Sequence, residues 1–291
     1  MRCPFHGVLR FLYLAGFTAL LYFAWQGFEY YRLPLQDRPH AELHADYKPG
    51  GRISHGVGIL GSSMVLLLFI YSARKRQLFG LRFGPMRHWL SIHIWLGFTG
   101  PLFITLHTAM KFKGIVSVSY FSMMAVMFSG FVGRYIYSQI PRNSAGDALS
   151  MKEIDEQIEA MGQSLASHEL TGDEILQLTR EYAGRLEQPK RRGIVLWLRI
   201  LRYDLTRWLR PWLFRQAMRE ALPRLSPAAL RDLTLVVHQR SLLLRRRAFL
   251  DAVNSVFDLW HVVHKPFAWI AVVIMFVHVF VVVLMGYRWI F

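Results

Sequence analysis

Four histidines stand in two pairs of equal spacing: His93 and His107 frame the stretch IWLGFTGPLFITL, and His264 and His278 frame KPFAWIAVVIMFV. Each separation is fourteen residues. On an α-helix that falls about 40° short of four whole turns, so the two members share one face and lie about 21 Å apart along the axis. Imidazole is a common metal ligand, and a histidine inside a membrane span is costly unless a ligand or polar partner engages it. Random placement of 12 histidines in 291 residues gives about half of one pair at a chosen spacing. Two pairs, both in apolar stretches, exceed that expectation.

The elements that carry them follow from hydropathy. Five apolar spans stand out, at residues 8–28, 56–71, 89–109, 115–137 and 263–285. A hydrocarbon core of about 30 Å needs roughly 20 helical residues, which these spans approach or exceed. The second is the shortest and extends outward through Arg52 and His55. The first follows Arg2 and Arg10 like a signal peptide. Its aromatic length and its exit, Gly27-Phe28-Glu29-Tyr30-Tyr31, lack a small-x-small cleavage pattern, so it reads as an uncleaved anchor. The expected fold is an all-α membrane protein: transmembrane helices 1–4 in residues 1–140, a helical cytoplasmic insert in 141–260, and helix 5 in 261–291.

Charge sets the expected orientation. The connection between spans two and three carries Arg74, Lys75, Arg76, Arg82 and Arg87 with no acid, whereas the connection between spans one and two is balanced. The positive-inside rule makes the former cytoplasmic, with the N-terminus inside and the C-terminus periplasmic, in a bacterial inner membrane. The net charge of +16 is then a matter of topology and lipid phosphates, and nucleic acid is not an expected partner. The single cysteine, Cys3, can supply neither an internal disulfide nor an iron–sulfur cluster, so any cofactor must be held by other side chains.

With this topology spans three and five run in the same direction. His93 is level with His264 and His107 with His278, giving two layers of facing imidazoles. Two imidazoles on opposite sides of a flat iron porphyrin make a six-coordinate haem suited to electron transfer. The expected cofactors are two haem b groups, the inner iron on His93 and His264 and the outer on His107 and His278. The alternative is buried histidines bonded to neighbouring groups with no cofactor. Gly100 and Ala271 lie midway within their pairs, on the same faces, and leave room for a macrocycle. Span four adds the small-residue stripe Ser122, Ala125, Ser129 and Gly133, and span two adds Gly58 and Gly61. Such stripes also serve helix packing alone. Arg134 is the expected partner of the inner propionates; Lys111, Lys113, Arg52 and His55 are candidates outside. His261 and His88 compete as ligands but sit about 100° off the shared face. His40, His44, His168 and His238 are expected to be solvated.

The insert reads as helical. Thr171 and Glu174 form a capping-box pattern, and Ser226-Pro227 reads as an N-cap followed by proline at the first helical position. Residues 194–222 interleave Trp197, Leu201, Leu205, Trp208 and Trp212 with Arg199, Arg202, Arg207, Arg210 and Arg215. That mixture suits a helix on an anionic leaflet or a soluble hairpin with a basic face.

Two histidine pairs on codirectional helices, with the stretches GRYIYSQIPR (133–142) and WHVVHKPF (260–267), resemble a bacterial branch of the di-haem cytochrome b superfamily. That superfamily includes the cytochrome b of quinol-oxidising complexes and the ferric reductase-like transmembrane domain. The resemblance covers spans two to five and implies a four-helix core, haem ligation at His93, His107, His264 and His278, and electron transfer across the bilayer. It implies redox subunits as partners, a cytoplasmic flavin or iron–sulfur protein or a periplasmic cytochrome, with quinone as a further candidate ligand. No flavin or nicotinamide domain follows span five, and no Pro-Glu-Trp-Tyr type segment marks a quinone pocket. The expectation is an electron-transfer subunit; the alternatives are a ferric or quinone reductase acting directly at a haem, and a non-redox metal transporter. Absence of Asp and Glu from the spans counts against the transporter.

Overall fold

The computed structural model describes residues 4–80, 82–141, 149–166, 227–286 and part of 201–216. Among these residues it is all-helical, with no strand. The helices are α1 (Pro4–Gln26), α2 (Phe28–Arg32), α3 (His44–Tyr47), α4 (Arg52–Lys75), α5 (Met86–His107), α6 (Val116–Gln139), α7 (Met151–Ala166) and α8 (Pro227–Leu284). Stretches within Gly7–Gln26, His44–Lys75, Met86–His107, Val116–Gln139 and Val253–Leu284 are long and apolar enough to cross a membrane. In hydrocarbon every backbone N–H and C=O needs an internal partner, and a continuous helix provides one.

Two boundaries differ from the sequence reading. α4 covers Arg52–Lys75: it starts at Arg52, as the outward extension of the second span has it, and runs past residue 71 because its polar last turn continues the helix. The last helix begins at Pro227 and runs for 58 residues, far upstream of residue 263. Residues 228–265 contain neither glycine nor proline, so nothing there stops the helix. Its start at Pro227 is the position where proline's missing N–H costs least. Thr171, Glu174, Ser226 and most of 194–222 lie outside the described residues.

The chain divides into two compact units, one of Met1–Arg134 with Leu259–Phe291 and one of Tyr135–Asp258. The sequence reading placed these limits at 141 and 260.

In the first unit α4 and α5 pack closely around Val57, Met64, Leu96, Phe103 and Leu106, and α1 covers them with Ala19, Leu20 and Phe23. A second cluster joins Val65 of α4, Met123 of α6, and Ala271 and Val272 of α8. The α4–α5 approach depends on small residues: a Cβ on Gly61 would sit 2.9 Å from the Gly100 carbonyl oxygen and 2.8 Å from an Ile104 side-chain carbon. Ser119 of α6 donates to the Ala271 carbonyl at 2.6 Å, an inter-helical bond suited to an apolar surround. Phe11, Leu14 and Phe17 of α1 and Phe276, Val277 and Phe280 of α8 are exposed, as lipid-facing side chains would be.

In the second unit Ile154 and Ile158 of α7 and Leu233 and Val237 of α8 are buried. Arg247 of α8 pairs with Asp155 of α7. The start of α7 carries a capping box: Glu153 N–H donates to Ser150 Oγ at 3.2 Å, while Ser150 N–H donates to Glu153 Oε2 at 2.7 Å. The Ser150 N–H and then the Ser150 hydroxyl, which also donates to Glu153 Oε2 at 2.7 Å, hold the Glu153 carboxyl below its ordinary range.

Candidate functional site

His107 is the last residue of α5 and His278 lies in α8; their ring centroids are 6.4 Å apart, with planes at 59°. Two nitrogens each about 2 Å from one metal would put imidazole centroids roughly 6 Å apart. The local sequence orients the His107 ring. Its Nδ1 lies 2.9 Å from the Ser54 carbonyl oxygen, and Ser54 Oγ donates back to the His107 carbonyl at 3.0 Å. A ring that donates from Nδ1 to a carbonyl leaves the Nε2 lone pair for a ligand, the usual arrangement of a metal-bound histidine. Gly58 makes the space: a Cβ there would meet His107 Cγ and Nδ1 at 2.6 Å. His55 of α4 is a third ring, also 6.4 Å from His107.

The connection between α1 and α4 closes this end. Arg38, only 4% exposed, donates to three backbone carbonyls, those of Leu33, Tyr31 and Ala109. Ala109 and Met110 turn the chain after α5 at φ of 47° and 58°, a conformation costly for residues with a Cβ. The guanidinium fastens that turn and places a positive charge at a helix C-terminus. Tyr31 Oη donates to the Leu106 carbonyl at 3.3 Å. Burial pushes the Tyr31 hydroxyl up to about 12, with Tyr47 and Tyr30 adding to the rise and Arg38 opposing it, so it remains a donor.

At the other end, His264 lies within electrostatic range of His93. His264 Nδ1 is 2.7 Å from Ser129 Oγ, and that hydroxyl donates to the Val126 carbonyl at 2.9 Å. Ser129 therefore accepts from His264 Nδ1–H, which again leaves Nε2 for a ligand. Trp260 lies against the His264 ring at 4.5 Å between centroids and donates to the Ser129 carbonyl at 2.9 Å. Gly133 supplies the seat for the indole, which a Cβ would occupy. His93 Nδ1 is 3.3 Å from the Leu68 carbonyl oxygen, and Tyr71 flanks the ring at 4.8 Å. Pairing His107 with His278 and His93 with His264 means that α5 and α8 run in the same direction.

The remaining sequence candidates are placed as follows. Gly100 faces α4, where a Cβ would lie 3.2 Å from the Gly61 carbonyl oxygen and from Met64 Cβ. Ala271 is buried in the cluster around Val65 and Met123. Arg134 is exposed at the end of α6, within electrostatic range of Tyr13. Lys111 and Lys113 are exposed, and Arg52 forms a surface ion pair with Asp46 at 3.4 Å. His261 packs against Trp260, and His88 stacks on Phe5 at 3.7 Å. His40 is exposed, and His238 is half-buried in α8. His44, expected in solvent, is half-buried and hydrogen-bonded to Tyr30 Oη at 3.1 Å, because the connection folds back on α2. His168 lies outside the described residues. Sequence reasoning treated Ser129 only as a small residue of a stripe and did not anticipate Ser54 and Leu68 as carbonyl partners.

Among the described residues no group of three or more His, Cys, Asp or Glu side chains is arranged to hold a metal ion. A haem asks less of the protein, since the porphyrin supplies the equatorial nitrogens and two axial imidazoles complete the iron. Imidazoles held through Nδ1, with Nε2 left for a ligand, fit the axial part of that demand. No family model, no curated protein and no solved structure matches the chain.

Proposed function

We propose that this chain is a membrane-embedded b-type cytochrome that passes electrons between the two faces of the bilayer. One haem would be held by His107 and His278, the other by His93 and His264. The observation that carries the reading is the facing of His107 and His278 at 6.4 Å, with His107 Nδ1 already engaged by the Ser54 carbonyl. A carbonyl partner of this kind raises the basicity of the ligating nitrogen and fixes the ring's orientation. Ser129 does the same for His264, and the Leu68 carbonyl for His93. Bis-histidine haem supplies a six-coordinate iron that exchanges single electrons. The residues of the chain would orient the imidazoles, keep water from the pairs and set their spacing along α5 and α8. The inner and outer sides, a bacterial inner membrane, and redox subunits or quinone as exchange partners belong to the same proposal.

The test is a reduced-minus-oxidised spectrum of the purified chain with haem quantification. Two b-type haems per chain support the reading, and colourless protein refutes it. His→Ala at 93, 107, 264 or 278 should each lower the haem content by about half.

A further inference from the structure

Asp204 is the only acid among residues 190–219, a stretch that holds nine lysines and arginines. Its carboxylate turns inward. Tyr135 Oη donates to Oδ2 at 2.9 Å, Gln139 Nε2 to the same oxygen at 2.6 Å, and Arg245 to Oδ1 at 2.8 Å. The ion pair is well buried, with 4% of the Arg245 side chain and 13% of the Asp204 side chain exposed. One of these anchors closes an apolar span, and another lies upstream of the next. Gln139 is the last residue of the candidate span Val116–Gln139, and Arg245 precedes the span Val253–Leu284 by eight residues, about 12 Å along α8. Asp204 thus ties its own segment to Gln139 of α6 and to Arg245 of α8.

What they present outward is apolar and aromatic. Trp208 is 73% exposed, and Leu201, Leu205, Leu209 and Trp212 are exposed beside Arg202. Tryptophan concentrates at membrane interfaces, where its ring rests in the acyl boundary and its N–H meets the headgroups. Arginine adds a fork of donors matched to phosphate oxygens. With the one acid withdrawn into an internal ion pair, nothing along this stretch repels an anionic surface.

We infer that the segment around Leu205 and Trp208 is an interfacial lip that binds the anionic lipid headgroups of the bilayer its own helices cross, with Asp204 as its tether. This does not depend on the haem proposal. The Asp204–Arg245 pair holds the segment to α8, and the exposed Trp208, Trp212 and Arg202 bind it to the surface.

The test uses the full chain with Cys3→Ser and Leu205→Cys, labelled with an environment-sensitive dye. The protein is reconstituted in phosphatidylcholine vesicles with and without phosphatidylglycerol. With phosphatidylglycerol the dye emission should shift to the blue and be quenched by shallow spin-labelled lipids, an effect that added salt reverses. Arg202→Gln should lower the bound-to-free ratio of the lip about fivefold. Asp204→Asn should reduce the quenching while the membrane helices remain folded by circular dichroism. The inference is overturned by a dye that reports water in both lipids. It is equally overturned by a dye shielded alike in both lipids and in detergent, which would mean that protein covers the face.

Discussion

Ser129 stands between His264 and the backbone of its own helix, accepting a hydrogen bond from the imidazole at 2.7 Å and donating one to the Val126 carbonyl at 2.9 Å. The hydroxyl thereby fixes which nitrogen of His264 is free. Ser129→Ala should leave the helices intact and weaken retention of the haem proposed at this pair, by about tenfold or more. Because an Nδ1 acceptor makes the ligand more electron-rich, its loss should also raise the potential of the proposed haem. Redox titration of the two haems, resolved spectrally, checks both effects; an unchanged potential and occupancy would remove Ser129 from the site.

Gly58 provides a steric test at the other pair. An alanine Cβ would meet the His107 ring at 2.6 Å, so the ring must move or α4 must shift, at about 1–3 kcal/mol. Gly58→Ala should deplete the haem proposed at His107 and His278 and spare the one proposed at His93 and His264. Gly97→Ala is the control, since its Cβ would sit 3.6 Å from a Leu68 methyl, an ordinary contact. Haem content per chain distinguishes the two variants.

Arg38→Ala strands the three carbonyls that the buried guanidinium serves. The expected loss is about 3 kcal/mol or more, read as a lower unfolding temperature in detergent. Arg38→Lys should recover little of it, because a single ammonium cannot reproduce the guanidinium's fork.

The capping box of α7 gives a pH dependence. The Glu153 carboxyl titrates below its ordinary value because Ser150 bonds its ionised form. A depressed carboxylate contributes stability above the unfolded value and loses it as pH falls through the folded one. Protection of the Ser150 amide from hydrogen exchange, corrected for intrinsic rates, should therefore fall on acidification below the usual carboxylate range. Glu153→Gln should flatten that dependence.

The five spans were readable because hydrocarbon demands uninterrupted apolar helices, which leave a mark about 20 residues long. The equal spacing of the two histidine pairs is legible in the letters, since fourteen residues return to nearly the same helical face. The partners of those histidines are not. Ser54 and Leu68 act through backbone carbonyls, which every residue has, so no letter marks them. Gly58 and Gly61 were noticed as small, but that one admits an imidazole and the other a neighbouring helix depends on packing. The length of α8 was missed because an apolar window sees only its membrane part, while the polar upstream turns are held by contacts within Tyr135–Asp258. His44 was misjudged for a similar reason, as a connection that folds back on itself leaves no periodic trace.

His264 and His278 ride on one unbroken helix, as His93 and His107 do on another. Along each stretch a substitution changes one side chain, but inserting a single residue turns everything beyond it by about 100° and displaces it by about 1.5 Å. One imidazole of the pair would then point away from its partner. These two thirteen-residue intervals should therefore reject any change of length, because the count of residues sets where each ring points.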